Sequence, residues 1–324
     1  MALIKNLDRF IQKIIRKPTN TETRIELKQE LDYFASEHLK IVDLQRVLKI
    51  GNKRTIEIED SLVSVSMAET ESRFVWKISD PRTAIACLVV TGEYEPLETK
   101  ILKYFAANGG LVVDIGANVG YYAVELGKIL GEKGRLIALE PIPESFEQLE
   151  GNVQLNSIQD KVSCYQIAIS NFHGSLTLYK PEISGSSASS ARNLHPTESS
   201  SKLEVPVTTL DTLLNSLNIQ NCELIKIDVE GAELMVIQGA LDSVKKFKPV
   251  IFAELLRKWS AQFNYTPNEL LEILLPLGYR CFAVSEQLPE IFDISEGTIE
   301  TNFLFVPERK FSSFNHYLHT VHGA

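Results

Sequence analysis

The pattern of hydrophobic and polar positions divides the chain into two regions of different character. Apolar residues recur with helical spacing up to about residue 49, and alternation through 55–65 then predicts short hairpin strands. From residue 111 onward, apolar runs of strand length alternate with helical patterns, which is typical of a parallel sheet with helices on both faces. We therefore expect a helical and hairpin (α+β) N-terminal extension at 1–100 and a main domain at 101–324.

Seven apolar runs in the second region have the length of strands. They lie near 111–114, 135–140, 162–168, 223–228, 249–254, 279–284 and 302–306. The fold class predicted from this alternation is α/β, with a seven-stranded sheet. Residues 174–179 predict an extra strand outside it. The serine-rich segment 184–201 predicts a loop, either a plain linker or a lid that orders on binding, because it cannot build a core.

The first of these strands leads into an acid and then a turn with two glycines. Asp114 follows the apolar run, and Gly116 and Gly120 flank Asn118 before the next helical pattern begins. Glycine allows a tight turn and a close approach of the backbone. A strand that ends in this way is how an open parallel sheet binds a nucleoside-bearing cofactor. These four residues are therefore candidates for cofactor binding.

A second acid, Glu140, ends the next apolar run. A carboxylate at that position can accept both ribose hydroxyls of a nucleoside in charge-assisted hydrogen bonds. The turn lacks the third glycine of a dinucleotide fingerprint, and the amide of Asn118 suits a neutral or cationic ligand better than a pyrophosphate. The pattern therefore favours S-adenosylmethionine (SAM) over a nicotinamide dinucleotide.

Three further acids follow strand ends that are expected to border the same crevice. Asp228 ends one apolar run, Glu230 comes two residues later, and Glu254 ends the next run. Such a cluster of like charge is costly unless a sulfonium, a metal ion or a cationic substrate lies nearby, or unless some of the acids keep a proton. A divalent cation, if present, would be held by these three acids; the alternative for Glu254 is pairing with Arg257 or Lys258.

The same acids are candidates for the chemistry. Asp228 is the first candidate for a base or a substrate-orienting group, because a carboxylate on an apolar strand end is costly without a partner or a role. Glu230 is the second candidate. His195, in the serine-rich segment, is the third, because that loop could bring it over the cleft.

Composition narrows the classes of partner. The chain has 324 residues, a formal net charge of -9 and a pI near 5.3, which opposes nucleic acid as the main partner. No apolar run approaches the roughly 18 residues that a transmembrane helix needs. The 4 cysteines form no C-x-x-C pair, so they indicate buried thiols in a reducing compartment, and we expect a cytoplasmic protein.

Residues 1–17 form a basic amphipathic pattern without the features of a secretory signal. Such a helix could lie on an anionic membrane surface as a peripheral contact. The more common alternative is that this helix docks on the rest of the protein or on a second subunit. A homo-oligomer is therefore one possibility.

Several motifs occur together in an order that resembles the FkbM family of SAM-dependent methyltransferases. The matching segments are 92–96, 113–122, 139–141, 209–211 and 226–233, within a region from about 90 to 306. The resemblance implies a class I methyltransferase (Rossmann-like) sheet, mostly parallel with a reversed final strand. It also implies methylation, mostly of oxygen, on a small molecule, a sugar or a lipid-linked glycan.

By position, the resemblance also assigns roles to residues of this chain. Gly116, Asn118 and Gly120 would line the methionine and ribose side, with Glu140 holding the ribose. The main chain near Ala168 would meet the adenine. Glu93 and Tyr94 would lie at the mouth of the cofactor site.

Two other functions remain as alternatives. An NAD(P)-dependent oxidoreductase would share the sheet and the ribose acid, but the third glycine and a Tyr-x-x-x-Lys pair are both missing from the sequence. A non-catalytic module could keep the cofactor fold as a scaffold, but the intact Asp228 and Glu230 argue against that interpretation.

Overall fold

The computed structural model describes residues 54–59, 62–76, 84–181, 189–194, 196–197 and 199–322. The chain divides into two compact units, and nearly all of these residues lie in the larger one, Lys53–Leu88 with Gly92–Ala324. The amphipathic pattern at 1–17, the helical pattern up to residue 49 and the candidate His195 lie outside the described residues. The boundary near residue 100 stays a prediction.

The strands and helices of the described residues are numbered in chain order. The strands are β1 (Arg54–Glu59), β2 (Leu62–Met67), β3 (Arg73–Val75), β4 (Leu111–Ile115), β5 (Arg135–Leu139), β6 (Val162–Tyr165), β7 (Ala168–Ile169), β8 (Gly174–Pro181), β9 (Ser200–Thr208), β10 (Leu224–Ile227), β11 (Val250–Glu254), β12 (Tyr279–Ala283), β13 (Glu290–Ile291) and β14 (Asn302–Pro307). The helices are α1 (Ala84–Thr91), α2 (Pro96–Ala106), α3 (Tyr121–Ile129), α4 (Pro143–Leu155), α5 (Leu210–Ser216), α6 (Glu233–Gln238), α7 (Leu241–Phe247), α8 (Arg257–Ser260), α9 (Asn268–Leu274) and α10 (Phe311–His322).

The main sheet has the order β13-β12-β14-β11-β10-β4-β5-β6. The strands from β6 to β11 pair in parallel, and β14 runs antiparallel to both of its neighbours. The predicted α/β class and the reversed final strand are therefore confirmed. An eighth strand, β13, pairs with β12 at the edge and was not predicted. The order reverses between β4 and β10, and open sheets bind ligands beside the carboxyl ends of strands at such a point.

Helices cover both faces because the central strands are apolar on both. Alternate residues of a strand point to opposite faces. In β4, Leu111, Val113 and Ile115 belong to a core that also contains buried residues of α5, α6, α7 and α9. On the other face, α2 contacts β10 and α3 contacts β5. Charged side chains that enter this two-sided core therefore need partners of their own.

The prediction of one strand over 162–168 is wrong, because the chain leaves the main sheet partway through. β6 ends at Tyr165, and the amide of Ile167 donates a hydrogen bond to the Tyr165 carbonyl in a turn. β7 then joins β9 and β8 in a separate sheet of order β7-β9-β8. The predicted extra strand at 174–179 is confirmed as β8, whereas β9 was missed because its first residues end the serine-rich segment.

The hairpin strands expected before the main domain are also present. β1, β2 and β3 form an antiparallel sheet of three strands. Its last strand is fastened to α4 by side-chain amides: Asn152 and Asn156 accept hydrogen bonds from the amides of Val75 and Arg73, at 2.7 and 2.8 Å. The small sheet is thereby fixed beside the helix that follows Glu140.

In the part of the chain that the structure describes, no helix is both long enough and apolar enough to span a bilayer. The four cysteines form no disulfide with one another, and Cys222 and Cys281 are buried.

Candidate active site

A cavity of about 330 Å³ lies at the carboxyl ends of β4, β5 and β10. The candidate cofactor residues that line it are Tyr94, Gly116, Asn118, Glu140 and Ala168. The three acids Asp228, Glu230 and Glu254 line it as well. The fold therefore brings together residues that the sequence analysis took from six separate segments.

Three of the candidate cofactor residues do not line this cavity. Glu93 is exposed, and its neighbour Glu95 faces the cavity instead. Asp114 is 0 % exposed and lies behind the cavity wall. Gly120 has a φ of 86°, and a Cβ there would lie 2.7 Å from Cδ1 of Leu149 in α4. A larger residue at position 120 would therefore be strained by this backbone conformation and would crowd α4.

Gly116 is required by the approach of another strand. Its φ is 77°, and a Cβ there would lie 1.8 Å from the carbonyl oxygen of Asp228. The turn after β4 and the end of β10 thus touch through their backbones. A glycine at this position lets the carboxyl ends of the two strands meet at the cavity.

Glu140 is buried and its carboxylate is held by two backbone amides. Oε2 accepts a hydrogen bond from the amide of Asn118 at 2.8 Å, and Oε1 accepts one from Ile142 at 2.9 Å. Burial raises the pKa of Glu140 to about 7, against the lowering effect of these two bonds. Each carboxylate oxygen keeps a further acceptor position, and Asn118 Oδ1, on the same turn, is buried without a hydrogen-bond partner.

Part of the cavity lining is apolar. It includes Ile142, Ile167, Ala168, Leu176 and Leu178. Such walls suit a flat ring bound through its faces rather than through charge. The cavity therefore combines an apolar part with a carboxylate that can hold sugar hydroxyls.

Lys226 is the central charge of the site, and the sequence analysis gave it no role. It lies in the middle of β10 and is 3 % exposed. Its Nζ lies 3.4 Å from Asp114 Oδ1 and 3.3 Å from Asp228 Oδ2, and it donates to the carbonyl of Gly116 at 3.2 Å. Burial by itself would lower the pKa of Lys226, but these carboxylates raise it overall. The sequence does contain a signal for this role, because Lys226 interrupts an apolar run. A lysine buried in a strand almost always pairs with an acid.

Four further carboxyl groups line the cavity: Glu95, Asp228, Glu230 and Glu254. Burial raises the pKa of Glu95, Glu230 and Glu254, and the negative charge of Asp228 raises all three further. A hydrogen bond between Glu254 and Asp228 adds to the effect on Glu254. Glu95, which the sequence analysis missed, also accepts a hydrogen bond from the hydroxyl of Tyr122.

A buried glutamate holds the loop that carries Asp228 and Glu230. Oε1 of Glu233 accepts hydrogen bonds from the amides of Val229 and Gly231, at 3.3 and 3.0 Å. Its Oε2 accepts one from the hydroxyl of Tyr265 at 3.0 Å. Burial raises the pKa of Glu233 to about 7. This side chain stabilises the loop backbone and does not line the cavity.

Part of the serine-rich segment also contributes to the cavity wall. Residues 189–191 line it, and the Ser190 hydroxyl donates a hydrogen bond to the carbonyl of Glu230 at 2.8 Å. Ser190 also forms an antiparallel bridge with Tyr179 of β8. Whether this segment acts as a lid stays a prediction.

A divalent-cation site formed by Asp228, Glu230 and Glu254 finds no support here. Among the residues with described positions, no group of three or more His, Cys, Asp or Glu side chains is arranged to hold a metal ion.

Comparison with known proteins places the chain in one family. The family model for the methyltransferase FkbM domain matches residues 114–281. Methyltransferase 1 of Beauveria bassiana is 27% identical over 147 residues, which cover 40% of this chain and 58% of that protein. Hexuronic acid methyltransferase AglP of Haloferax volcanii is 24% identical over 177 residues, covering 55% and 64%. The matches thus span less than two thirds of either relative.

Solved structures are similar at low sequence identity. A methyltransferase FkbM from Methylobacillus flagellatus is 14% identical with a TM-score of 0.40, covering 61% of this chain and 44% of that one. The O-methyltransferase TomG of Streptomyces achromogenes, solved in complex with SAM, is 11% identical with a TM-score of 0.42, covering 71% and 87%.

Proposed function

Because the chain belongs to the FkbM methyltransferase family, we propose that it transfers a methyl group from SAM to a hydroxyl oxygen of a small molecule, a sugar or a lipid-linked glycan. The observation that carries the proposal is a single cavity that joins the buried carboxylate of Glu140 to the carboxylate of Asp228. The first suits the sugar of the donor and the second suits an acceptor hydroxyl. An acceptor other than nucleic acid and a cytoplasmic location are parts of the same proposal.

The chemistry of the cavity fits this donor. Glu140, when ionised, can accept both ribose hydroxyls, each in a charge-assisted hydrogen bond worth about 1.5–3 kcal/mol. The unpartnered Oδ1 of Asn118 offers an acceptor to an ammonium or hydroxyl donor. The apolar walls near Ala168 suit the adenine ring. The carboxyl groups around Asp228 favour a positively charged sulfonium, because burial and mutual repulsion make their negative charges costly alone.

When bound, SAM supplies an electrophilic methyl: an acceptor oxygen forms the new C–O bond while the C–S bond breaks and its electron pair stays with sulfur. Asp228 accepts the proton of the acceptor hydroxyl in this proposal and becomes a neutral carboxylic acid. Base catalysis of this kind typically contributes about 100- to 10,000-fold. Alignment of the acceptor by the cavity walls can contribute up to about 7–11 kcal/mol of the barrier.

The surroundings of the acids favour Asp228 over Glu230 and Glu254 as the base. The ammonium of Lys226 lies 3.3 Å from Asp228 Oδ2 and gives this carboxylate a positive partner. The raised pKa of Glu230 and of Glu254 favours a proton on each near neutral pH. A protonated carboxyl can donate a hydrogen bond to the acceptor but cannot remove its proton.

Membership of a methyltransferase family argues against an NAD(P)-dependent oxidoreductase. The non-catalytic alternative differs from our proposal in turnover only, so binding data cannot separate the two.

The test has two steps on the full chain. Titration calorimetry with SAM, S-adenosylhomocysteine (SAH) and NAD should give binding of the first two and none of NAD. Formation of SAH is then measured with a panel of neutral sugars, uronic acids and phenols, for the wild type and Asp228→Asn. Turnover that falls at least about 100-fold in Asp228→Asn is expected. No binding of SAM at millimolar concentration would overturn the proposal.

A further inference from the structure

Lys226 touches both halves of the proposed site. Its ammonium donates to the carbonyl of Gly116 in the turn after β4, and it lies 3.3 Å from Oδ2 of Asp228 at the end of β10. It also lies 5.2 Å from the centroid of the Tyr122 ring. The side chain of Lys226 thus contacts both the Gly116 turn, which is proposed to bind the donor, and Asp228, the candidate base.

The lysine is fixed on its remaining side by a carboxylate that does not reach the cavity. Asp114 is 0 % exposed and pairs with Lys226 at 3.4 Å. The pair keeps the ammonium charged inside the sheet, where an isolated charge would be strongly disfavoured. Asp228 differs from Asp114, since its side chain is 33% exposed and lines the cavity. The lysine therefore bridges a structural carboxylate and a reactive one.

Building on the proposed function, we propose that Lys226 is a positioning residue of the methyl-transfer site, which holds Asp228 ionised and oriented beside the Gly116 turn. It acts through Asp228 and needs no contact with the acceptor. Apart from Lys226, the described groups with an established charge interaction with Asp228 are acids and a phenol. In the described part of the chain, the ionisable groups that interact with Asp228 include Tyr94 and Glu95 before α2, Asp114 of β4, Lys226 of β10, Glu230 and Glu233 after β10, and Glu254 of β11.

A proton count made during SAM binding tests this role without knowledge of the acceptor. Lys226→Met removes the charge but keeps most of the side-chain volume, so Asp228 is expected to take up a proton near neutral pH. Binding of the cationic donor would then expel that proton. Calorimetry at pH 7 in two buffers with different ionisation enthalpies gives the number of protons released for each SAM bound.

We expect Lys226→Met to release more protons than the wild type, by up to about one for each SAM bound. Affinity for SAM at pH 7 should weaken about tenfold and recover as the pH rises, since one unit of linked titration corresponds to tenfold in affinity. Lys226→Arg should restore the wild-type count. The extra proton should vanish in Lys226→Met/Asp228→Asn, which identifies Asp228 as its source.

Asp114→Asn is the matched control, because it removes the structural carboxylate and keeps the lysine beside Asp228. It should release the wild-type number of protons. Should Lys226→Met not fold, as judged by circular dichroism, Asp114→Asn/Lys226→Met removes both charges of the buried pair and carries the same expectation.

The outcomes separate the two proposals. A wild-type count in the folded Lys226→Met protein would overturn the inference, as would an increase that persists after Asp228→Asn. An increase in Asp114→Asn alone would also overturn it, since the effect would then belong to the buried pair. Failure of the wild type to bind SAM would instead overturn the proposed function, and the inference with it.

Discussion

Glu140 is the side chain on which donor binding is expected to depend most. Its two oxygens are held by the amides of Asn118 and Ile142, so its position is fixed before a ligand enters. We expect Glu140→Gln to weaken SAM binding about 10- to 100-fold, because charged hydrogen bonds to the ribose are replaced by weaker ones. Glu147→Gln, an exposed position on α4, is the matched control and should bind like the wild type. Equal dissociation constants for the two variants in calorimetry would contradict this role.

Gly116 shows how a single missing Cβ shapes the site. We expect Gly116→Ala to lower the free energy of unfolding by about 2–4 kcal/mol, from left-handed backbone strain together with overlap on the Asp228 carbonyl. Gly131→Ala is the control, because a Cβ there meets nothing within 4 Å. Urea unfolding followed by circular dichroism measures both. A Gly116→Ala protein as stable as Gly131→Ala would rule out the close approach described for these strands.

The helix α4 connects the small sheet with the glycine turn through one amide. Asn152 is 0 % exposed; its Oδ1 accepts from the amide of Val75, and its Nδ2 donates to the carbonyl of Val119, both at 2.7 Å. Asn152→Ala should cost about 2–4 kcal/mol of unfolding free energy, because two backbone groups lose their partner. SAM binding should weaken too, since Val119 lies in the turn. Gln154→Ala, exposed on the same helix, should change neither, and urea titration and calorimetry compare them.

The strands of the main sheet could be predicted from the sequence where the pattern of hydrophobic residues was strong. Each of the seven predicted strands has a counterpart in the main sheet, although the third ends earlier than predicted, because short apolar runs that alternate with helical patterns are typical of buried parallel strands. The strand predicted over 162–168 was too long because the chain turns between Tyr165 and Ile167. The pattern of hydrophobic residues contains no signal for this turn. β9 was missed because serine and lysine at its start carry no strand signal, and its pairing with β8 stabilises it instead.

Some residues of the candidate site could be predicted from the sequence, and others could not. Glu140 and Asp228 could be found because each follows a strand, and strand ends meet at one edge of the sheet. Glu95 could not, because it precedes a helix in a segment without a strand. Lys226 was visible as a charge in an apolar run, yet its partners come from elsewhere in the chain.

The protein as a whole should become less stable as the pH rises through the range where its buried acids ionise. Burial raises the pKa of Glu140 and Glu233 to about 7 in the folded state, above the value of about 4.3 expected in the unfolded chain. Between these values the folded state binds more protons, so the free energy of unfolding falls as the pH rises. The stabilisation is complete below about pH 4.3 and lost above about pH 7.

Urea unfolding of the ligand-free protein at pH 5, 6, 7 and 8 checks this expectation. The slope should be shallower in Glu140→Gln, which is neutral at every pH, and unchanged in Glu147→Gln. A slope that is identical in the wild type and Glu140→Gln would contradict the burial effect on this carboxyl.

The amino-acid sequence by itself determined the alternation of strands and helices in the main domain, the glycine turn and the acids at the strand ends, because these follow from side-chain periodicity and from backbone freedom within a few residues. Only the tertiary structure decided that Lys226 joins Asp228 at the end of its own strand with Asp114 and with Gly116, which lies 110 positions earlier in the chain. The reason is physical: parallel pairing of β10 with β4 sets which side chains meet, and burial between them sets which of those groups keep a proton.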